Sequence, residues 1–359
     1  MDGRSQGQRG NGRVTLTEVA KRAGVSRSAV SFVLNGRTDQ RLSADTSNRV
    51  RRAAEELGYS PNTTAKTLRT GSSGTVALVS DFIGTTSFAN SMVRGVLESL
   101  HDADALLYTV DTQGESSLES RLLLSLINRD VDGIIYGSMF TRTVAVPALL
   151  RNAPFVLLNC VSDDSDTTAV IPDEVAAGAT AATALLSAGH HDHIWFVGVF
   201  PPGATGGAAW HNWSPLALAE RLQGIDTALS AAGTKLAGRA MIDDDWDVAN
   251  GRSSVAKLLA SGATPSALIC VNDAVGVGAY QALQAAGLRV PDDMSVISFD
   301  GSPLTTAVLP TLTSVTLPHE ALGRLAAQLL LSGTTVPRIH RVPMPLTLGH
   351  SISTPPATR

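Results

Sequence analysis

Five side chains between Arg27 and Asn35 recur at i, i+1, i+4, i+5 and i+8: Arg27, Ser28, Ser31, Phe32 and Asn35. On a helix they share one face, while Ala29, Val30, Val33 and Leu34 share the opposite one. The outward face carries a guanidinium, two hydroxyls, an aromatic ring and an amide. Such groups hydrogen-bond base edges and phosphates or touch a thymine methyl, which is the chemistry of a helix seated in a major groove. Any small helical hairpin with a polar face fits the same residues. A second set lies at the carboxyl ends of apolar runs: Asp300 after MSVISF, Asn272 and Asp273 after ALICV, and Asp173 after AVIP. Arg221, expected just ahead of a helix in ERLQG, and Trp246, after the acidic run DDD, complete it. Carboxylate, amide and guanidinium grip hydroxyls through paired hydrogen bonds, and an indole covers the apolar face of a ring. Asp273 also fits a cap for a helix starting at Ala274, and Trp246 a core position.

The elements that must position these groups are legible nearby. Thr15 and Glu18 have capping-box spacing, so a helix starts at Leu16, with Leu16, Val19, Ala20 and Ala23 on one stripe. Gly24 permits the tight turn to the next helix, which Ser26 caps. Ser43 caps a third helix with Val50, Ala53, Ala54 and Leu57 inward and Arg49, Arg51 and Arg52 largely outward, and Gly58 ends it. Pro61 stops the preceding structure, Asn62 can cap, and Thr63 to Arg69 could form two turns before Gly71. A helix so short is marginal in water and is expected to order only when docked. From Thr75 the apolar runs TVALVS, ALLYTV, GIIYG, FVLLN, HIWFVG, SALICV and MSVISF alternate with helical stretches. That alternation predicts parallel strands with crossover helices, in two sheets given the length. Ligands of such folds bind at the carboxyl ends of the strands.

With 359 residues, 43% hydrophobic and 17% charged, and a mean hydropathy of +0.11, the chain is long enough for one small and two medium globular domains. Its net charge of −4 conceals an asymmetry. Residues 1–71 hold 13 basic and 6 acidic side chains, a net +7, and the remainder 15 and 26, a net −11. A basic head on an acidic body suits a head that meets phosphates alone. Cys160 and Cys270 each end an apolar run and read as buried thiols. No apolar run is long enough to span a membrane, and the polar first 13 residues read as a disordered arm without a signal core, so a cytoplasmic protein is expected.

The stretch VTLTEVAKRAGVSRSAVSFVLNG followed by RVRRAAEELGYSPNTTAKTLRTG resembles the lactose-repressor (LacI/GalR) family of bacterial transcription regulators, with helix-turn-helix, third helix and PN-A-L hinge pattern in order. The likeness continues through VDGIIYGS, APFVLLNC, ERLQGIDTAL, ICVNDAVGVGAYQAL and VPDDMSVISFDGSPL. It implies an all-α helix-turn-helix head with a hinge helix and an α/β core of two parallel-sheet subdomains resembling periplasmic sugar-binding proteins. The expected boundaries are a disordered arm at 1–13, the head at 14–60, a hinge at 61–73, the core at 74–350 and a tail at 351–359. Within the core, an N-subdomain of about 74–172 and 302–333 and a C-subdomain of about 173–301 and 334–350 are expected. By the same resemblance Arg27 and Ser28 read bases and Leu68 wedges into the minor groove at the operator centre. The expected DNA-facing set adds Thr15, Thr17, Ser26, Ser31, Phe32, Asn35, Asn62 and Ala65. Phe32 departs from the family, which commonly has arginine there to contact guanine; phenylalanine cannot make that bidentate bond. Phe88, Arg221, Trp246, Asn272 and Asp300 would line the effector pocket with Asp173 at its edge, and Trp210, His211 and Trp213 would line its entrance.

These features predict a homodimeric repressor on a palindromic double-stranded operator, controlled by a small effector. A sugar is the expected class and a nucleobase or nucleoside its rival. The helix bearing Val93, Val96, Leu97 and Leu100 offers either a dimer face or a core face. STPPATR carries no further heptad repeat, which argues against a tetramerising helix. A solute-binding protein is disfavoured by the basic head and the missing signal. An enzyme is disfavoured because no nucleophile, base and orienting group come together, and no cofactor is implied. Ser254 and Lys257 fit S-x-x-K by ordinary helix amphipathicity, without companion motifs. His190, His191 and His193 lie in an expected solvated turn, without a partner set at zinc spacing. The sequons at Asn62 and Asn212 lack a secretory context, and no nucleotide fingerprint is present.

Overall fold

The structure, a computed structural model, describes residues 14–34, 42–60, 67, 71–84, 88–201, 215–333 and 336–356. The polar arm, Asn35, Asn62, Ala65, Leu68 and the Trp210–Trp213 stretch lie outside the described residues. The chain divides into two compact units, Met1–Ser73 and Gly74–Arg359.

Among the described residues of the first unit, three helices enclose a small core. α1 (Leu16–Ala23) opens with both halves of the predicted capping box, the Thr15 N–H donating to the Glu18 carboxylate at 2.7 Å. Glu18 is held below the usual carboxylate range by those Thr15 bonds. Gly24, left-handed at φ +67°, turns the chain into α2 (Arg27–Leu34), whose cap is the Ser26 hydroxyl accepting from the Ala29 N–H at 3.1 Å. α3 (Ala44–Leu57) is capped by Ser43 and stopped at Gly58. Val19, Ala20, Ala23, Val30, Val50, Ala53 and Ala54 are the buried centre, and an Arg22–Glu56 ion pair ties α1 to α3 at the surface.

The second unit holds two six-stranded sheets. The strands, in chain order, are β1 (Thr75–Ser80), β2 (Leu106–Asp111), β3 (Gly133–Thr143), β4 (Phe155–Val161), β5 (Ala169–Pro172), β6 (Ile194–Val199), β7 (Gly238–Met241), β8 (Ala267–Cys270), β9 (Ser295–Asp300), β10 (Thr313–Thr316), β11 (Ile339–Val342) and β12 (Leu346–Thr347). One sheet runs β11-β5-β4-β3-β1-β2 and the other β12-β10-β9-β8-β6-β7, and every pairing is parallel except β12 on β10. The central strands are buried on both faces, as parallel sheets covered by helices require.

Three crossings join the subdomains, after β5, after β10 and after β11, and the second and third differ from the expected boundaries. β10 pairs with β9 (Thr313 opposite Ile297), so the chain returns to the first subdomain only beyond Thr316, not at 302. β11 pairs with β5 (Ile339 opposite Ala169), so residues past 334 stay there until Val342. TSVT and IHRV are too short and too mixed in polarity to announce themselves as strands.

One open alternative narrows and two further expectations change. In the helix Ala89–Asp102, Val96 and Leu100 are buried in one cluster with Leu322, Ala326 and Ala327, Val93 is half-buried against it and Leu97 is 47% exposed, so the inner side is a core face. His190 is buried, not solvated: Gly189, at φ +96°, tucks its ring under β9, where it bonds Ser266 Oγ at 3.0 Å, Ser295 Oγ at 2.9 Å and the Ser353 carbonyl at 3.0 Å. Burial lowers its pKa. Arg221 lies within the helix Leu216–Ala231 and not ahead of it. Cys160 and Cys270 are buried thiols, Cys160 pushed up to about 12 by burial. No described helix is long and apolar enough to cross a membrane.

Candidate functional site

Between the two sheets, at the carboxyl ends of their strands, lies a cavity of about 390 Å³, a volume suited to a small molecule. Phe88, Arg221, Trp246, Asn272 and Asp300, far apart in sequence, all line it. Asp173 does not. It stands one residue before the helix Glu174–Ser187 and caps it, Oδ1 accepting from the Ala176 N–H at 3.1 Å, while its neighbour Glu174 turns into the cavity.

Arg221 is anchored before any ligand arrives. Its Nε and Nη2 donate to the two Glu174 carboxylate oxygens at 2.6 and 3.0 Å, and Nη1 donates to the Val271 carbonyl at 2.6 Å. The guanidinium carbon lies 4.5 Å from the centroid of the Phe299 ring, and Nη2 stands 3.7 Å from Asp300 Oδ1. The backbone makes this meeting possible. Gly178 and Gly224 sit where the helices Glu174–Ser187 and Leu216–Ala231 touch, and a Cβ on either would strike the other helix's main chain. Burial works against the charge of Arg221, but Glu174, then Asp300 and Asp273, outweigh it and raise its pKa.

Asp300 ends β9 with φ +105°, a conformation that non-glycine residues rarely adopt and that recurs at functional sites. Its carboxyl is raised well above the usual range by burial, with Arg221 opposing. Asp273 is not a cap: Asn272 takes that role, its Oδ1 accepting from the Val275 N–H at 2.8 Å. The Asp273 carboxylate accepts instead from Ser298 Oγ at 2.6 Å, Ser314 Oγ at 2.7 Å and the Ser302 N–H at 2.6 Å, behind the cavity. The other end of the Asn272 amide donates to the Trp246 carbonyl at 3.0 Å, so Asn272 holds the tryptophan in place. The indole Nε1 donates to the Gly198 carbonyl at 2.8 Å, and its ring stacks on Phe200 at 5.1 Å. Across the cavity Phe88 stacks on His319 at 5.2 Å, and burial pushes the imidazole down to about 4, leaving it uncharged at neutral pH.

Sequence reasoning missed Glu174, Thr141, Asn159 and His319 as lining residues. Thr141 and Asn159 lie near the carboxyl ends of β3 and β4, the rule that singled out Asp300, and their side chains bond each other at 2.7 Å. His319 had no signal beyond following Pro318. Beside the cavity, Arg341 of β11 grips Glu220 of the helix Leu216–Ala231 with two bonds of 2.8 and 2.7 Å, linking the two subdomains.

On the first unit, Arg27 and Ser28 are exposed on α2 and Ser31 and Phe32 half-buried on it, with Thr15, Thr17 and Ser26 exposed nearby. Two side chains of that set also serve the fold, the Thr15 and Ser26 hydroxyls being helix caps.

Residues 15–62 match the family model for bacterial regulatory proteins of the lacI family, and residues 73–349 that for periplasmic binding proteins and the sugar binding domain of the LacI family. The chain belongs to the lacI family. It is a DNA-binding transcription regulator with a head and a periplasmic-binding-protein-like core. Among curated relatives, the sucrose operon repressor of Escherichia coli is 31% identical over 344 residues, 92% of this chain and 98% of that one. The ribose operon repressor of Escherichia coli K12 is 29% identical over 335 residues, 93% of this chain and 97% of that one. Among solved structures, the transcriptional regulator CelR–cellobiose complex is 28% identical with a TM-score of 0.63, covering 94% of this chain and 100% of that one. The lac repressor dimer bound to operator and the anti-inducer ONPF, at 23% identity, shares the fold with a TM-score of 0.77 over 95% of this chain and 100% of that one.

Proposed function

We propose that this lacI-family protein acts in the cytoplasm as a homodimeric repressor. α2 reads each half of a palindromic operator, and a sugar in the cleft alters operator affinity. The observation that carries the effector is the meeting of Asp300, Arg221 and Trp246 in one cavity, a carboxylate and a guanidinium for a hydroxyl rim beside an indole for a C–H face. In this proposal Arg27 and Ser28 meet base edges, and Phe32 offers an apolar contact such as a thymine methyl. A palindrome requires two heads related by a two-fold axis, hence the dimer. The effector shifts operator binding only by its differential affinity for two arrangements of the protein, typically about 1–3 kcal/mol of coupling.

The test is a panel of mono- and disaccharides, nucleosides and purines read by tryptophan fluorescence and thermal shift, with operator binding measured in parallel. The responding ligand should be a saccharide. Asp300→Ala and Trp246→Ala should abolish both its binding and its effect on the operator. If both variants respond like the parent protein, the effector sits elsewhere.

A further inference from the structure

The wall that the first subdomain gives the effector cavity is an irregular stretch of β3. Gly137 pairs with Leu158 of β4 and Arg142 with Cys160, so the four residues Ser138 to Thr141 stand opposite Asn159 alone. A bulge bends its strand and re-aims side chains, and Met139, Phe140 and Thr141 all line the cavity. Backbone groups taken off the ladder need other partners.

The bulge is stapled from two sides. From β4 the Asn159 amide spans it, Nδ2 donating to the Ser138 carbonyl at 3.0 Å and Oδ1 accepting from Thr141 Oγ1 at 2.7 Å. Asn159 adopts a left-handed backbone to do so, at φ +57°. From the end of β1 the Asp81 carboxylate spans it again. It accepts from the Met139 N–H at 2.8 Å and Ser138 Oγ at 3.1 Å at one end, and from Arg142 Nη2 at 2.8 Å at the other. Arg142 Nε also donates to Ser138 Oγ at 2.9 Å, which closes the ring of bonds. The Asp81 and Arg142 side chains are 8% and 26% exposed, so salt screens the pair little.

Neither Asp81 nor Arg142 is among the described residues that line the effector cavity; both line a separate cavity of about 100 Å³. The geometry points to them as positioning residues, which fix the β3 bulge so that Thr141 and Asn159 meet the effector already oriented. This assignment rests on the effector reading of the cavity and adds two residues that act on the ligand without touching it. Side chains held in place beforehand cost less to order on binding. The influence of Asp81 on binding must then pass through Thr141.

Two measurements on the full-length protein test this. Without ligand, Asp81→Ala should speed deuterium uptake across residues 138–142 by at least about tenfold, the equivalent of one lost hydrogen bond to a charged group, and leave residues 295–300 of the second sheet unchanged. Should Asp81→Ala not melt cooperatively, Arg142→Gln, altered at the more exposed partner, replaces it throughout. Ribose, sucrose and cellobiose are then titrated by calorimetry. For whichever binds, Asp81→Ala should weaken affinity about tenfold in the parent protein but less than about twofold in a Thr141→Val background, where the group it positions is already gone. A merely structural loss would be the same in both backgrounds. Unchanged uptake at 138–142, or equal weakening in the two backgrounds, overturns the assignment while the sugar reading stands. If none of the three sugars binds, the sugar reading loses these candidates and uptake alone decides: acceleration confined to the bulge upholds the staple, and unchanged uptake overturns it.

Discussion

The head and the cleft present their chemistry in opposite ways. On α2 Arg27, the proposed reading side chain, stands exposed on a helix whose stability comes from the other face, Val30 above all. In the cleft Arg221, Asn272 and Trp246 are held by neighbours through Glu174, the Val271 and Gly198 carbonyls and a helix cap before a ligand enters. Exposed recognition groups can change without cost to the fold, so one helix can be retargeted residue by residue. Engaged groups are preorganised and cost little to order on binding, but each is also structural.

Arg221→Ala tests the contrast hardest. It leaves the Glu174 carboxylate, 1% exposed, without its partner, and breaking a buried pair in this way should cost about 3–5 kcal/mol of stability as well as effector binding. Urea unfolding followed by tryptophan fluorescence measures it. Replacing both partners, Arg221→Met with Glu174→Leu, should recover much of that stability without restoring binding, because no buried charge is then stranded. A loss for Arg221→Ala no greater than that of a surface substitution would erase the distinction between the two regions.

Arg27→Ala is the counterpart in the head. It should leave unfolding unchanged, cost about 1–3 kcal/mol of operator affinity and relax preference at one base pair. Selection from randomised operators reads this directly. If instead all sequences weaken alike and the salt slope flattens by about one, Arg27 touches phosphate only.

The same contrast explains what the sequence disclosed. The head was legible nearly to the residue, because capping boxes, αL glycines and amphipathic spacing are local signals: Thr15 with Glu18, Gly24, Ser43 and Gly58 all stand where local rules put them. The core's long apolar strands were legible too, by their hydrophobic runs. What escaped depends on tertiary contact. TSVT joins the second sheet because β9 offers an edge, His190 is buried because three partners from distant segments converge on it, and Glu174 rather than Asp173 faces the cleft because the helix start consumes the first carboxylate. Asn272 rather than Asp273 caps the helix, for a similar reason. Both sit at a strand end, and only the packing of Ser298 and Ser314 decides which one is buried.

A smaller effect concerns pH. Burial holds His319 near 4 against an ordinary 6.5, so the unfolded chain binds this proton more readily than the folded one between those values. Its contribution to stability is complete above about pH 6.5 and is lost as pH falls towards about 4. His319→Gln, which titrates in neither state, should therefore show a shallower decline in melting temperature across that window than the parent protein. No α2 residue should produce such a difference, since none of the groups there is a buried base. Parallel pH–stability curves would remove His319 from the set of groups that the cleft buries.

The smallest expected effect lies between the two regimes, at the Arg341–Glu220 pair. Its geometry is that of an engaged cleft group, with two bonds of 2.8 and 2.7 Å, but its side chains are 36% and 12% exposed, so water screens it. Its contribution to stability should accordingly be about 0.2–1 kcal/mol, measured by a double-mutant cycle with Arg341→Met and Glu220→Gln. Position gives it more interest than strength. β11 belongs to the first subdomain and the Glu220 helix to the second, so the pair exists only at closure angles that bring them together. A saccharide that binds between the subdomains shares that requirement, and each should favour the other by the same free energy. Arg341→Met should therefore weaken the effector by up to about fivefold, the equivalent of about 1 kcal/mol, although Arg341 is not among the residues lining the cavity. Unchanged effector affinity alongside a measurable stability loss would mean that the cleft closes to the same angle without the pair, and would make Arg341 a structural contact of the core that plays no part in effector binding.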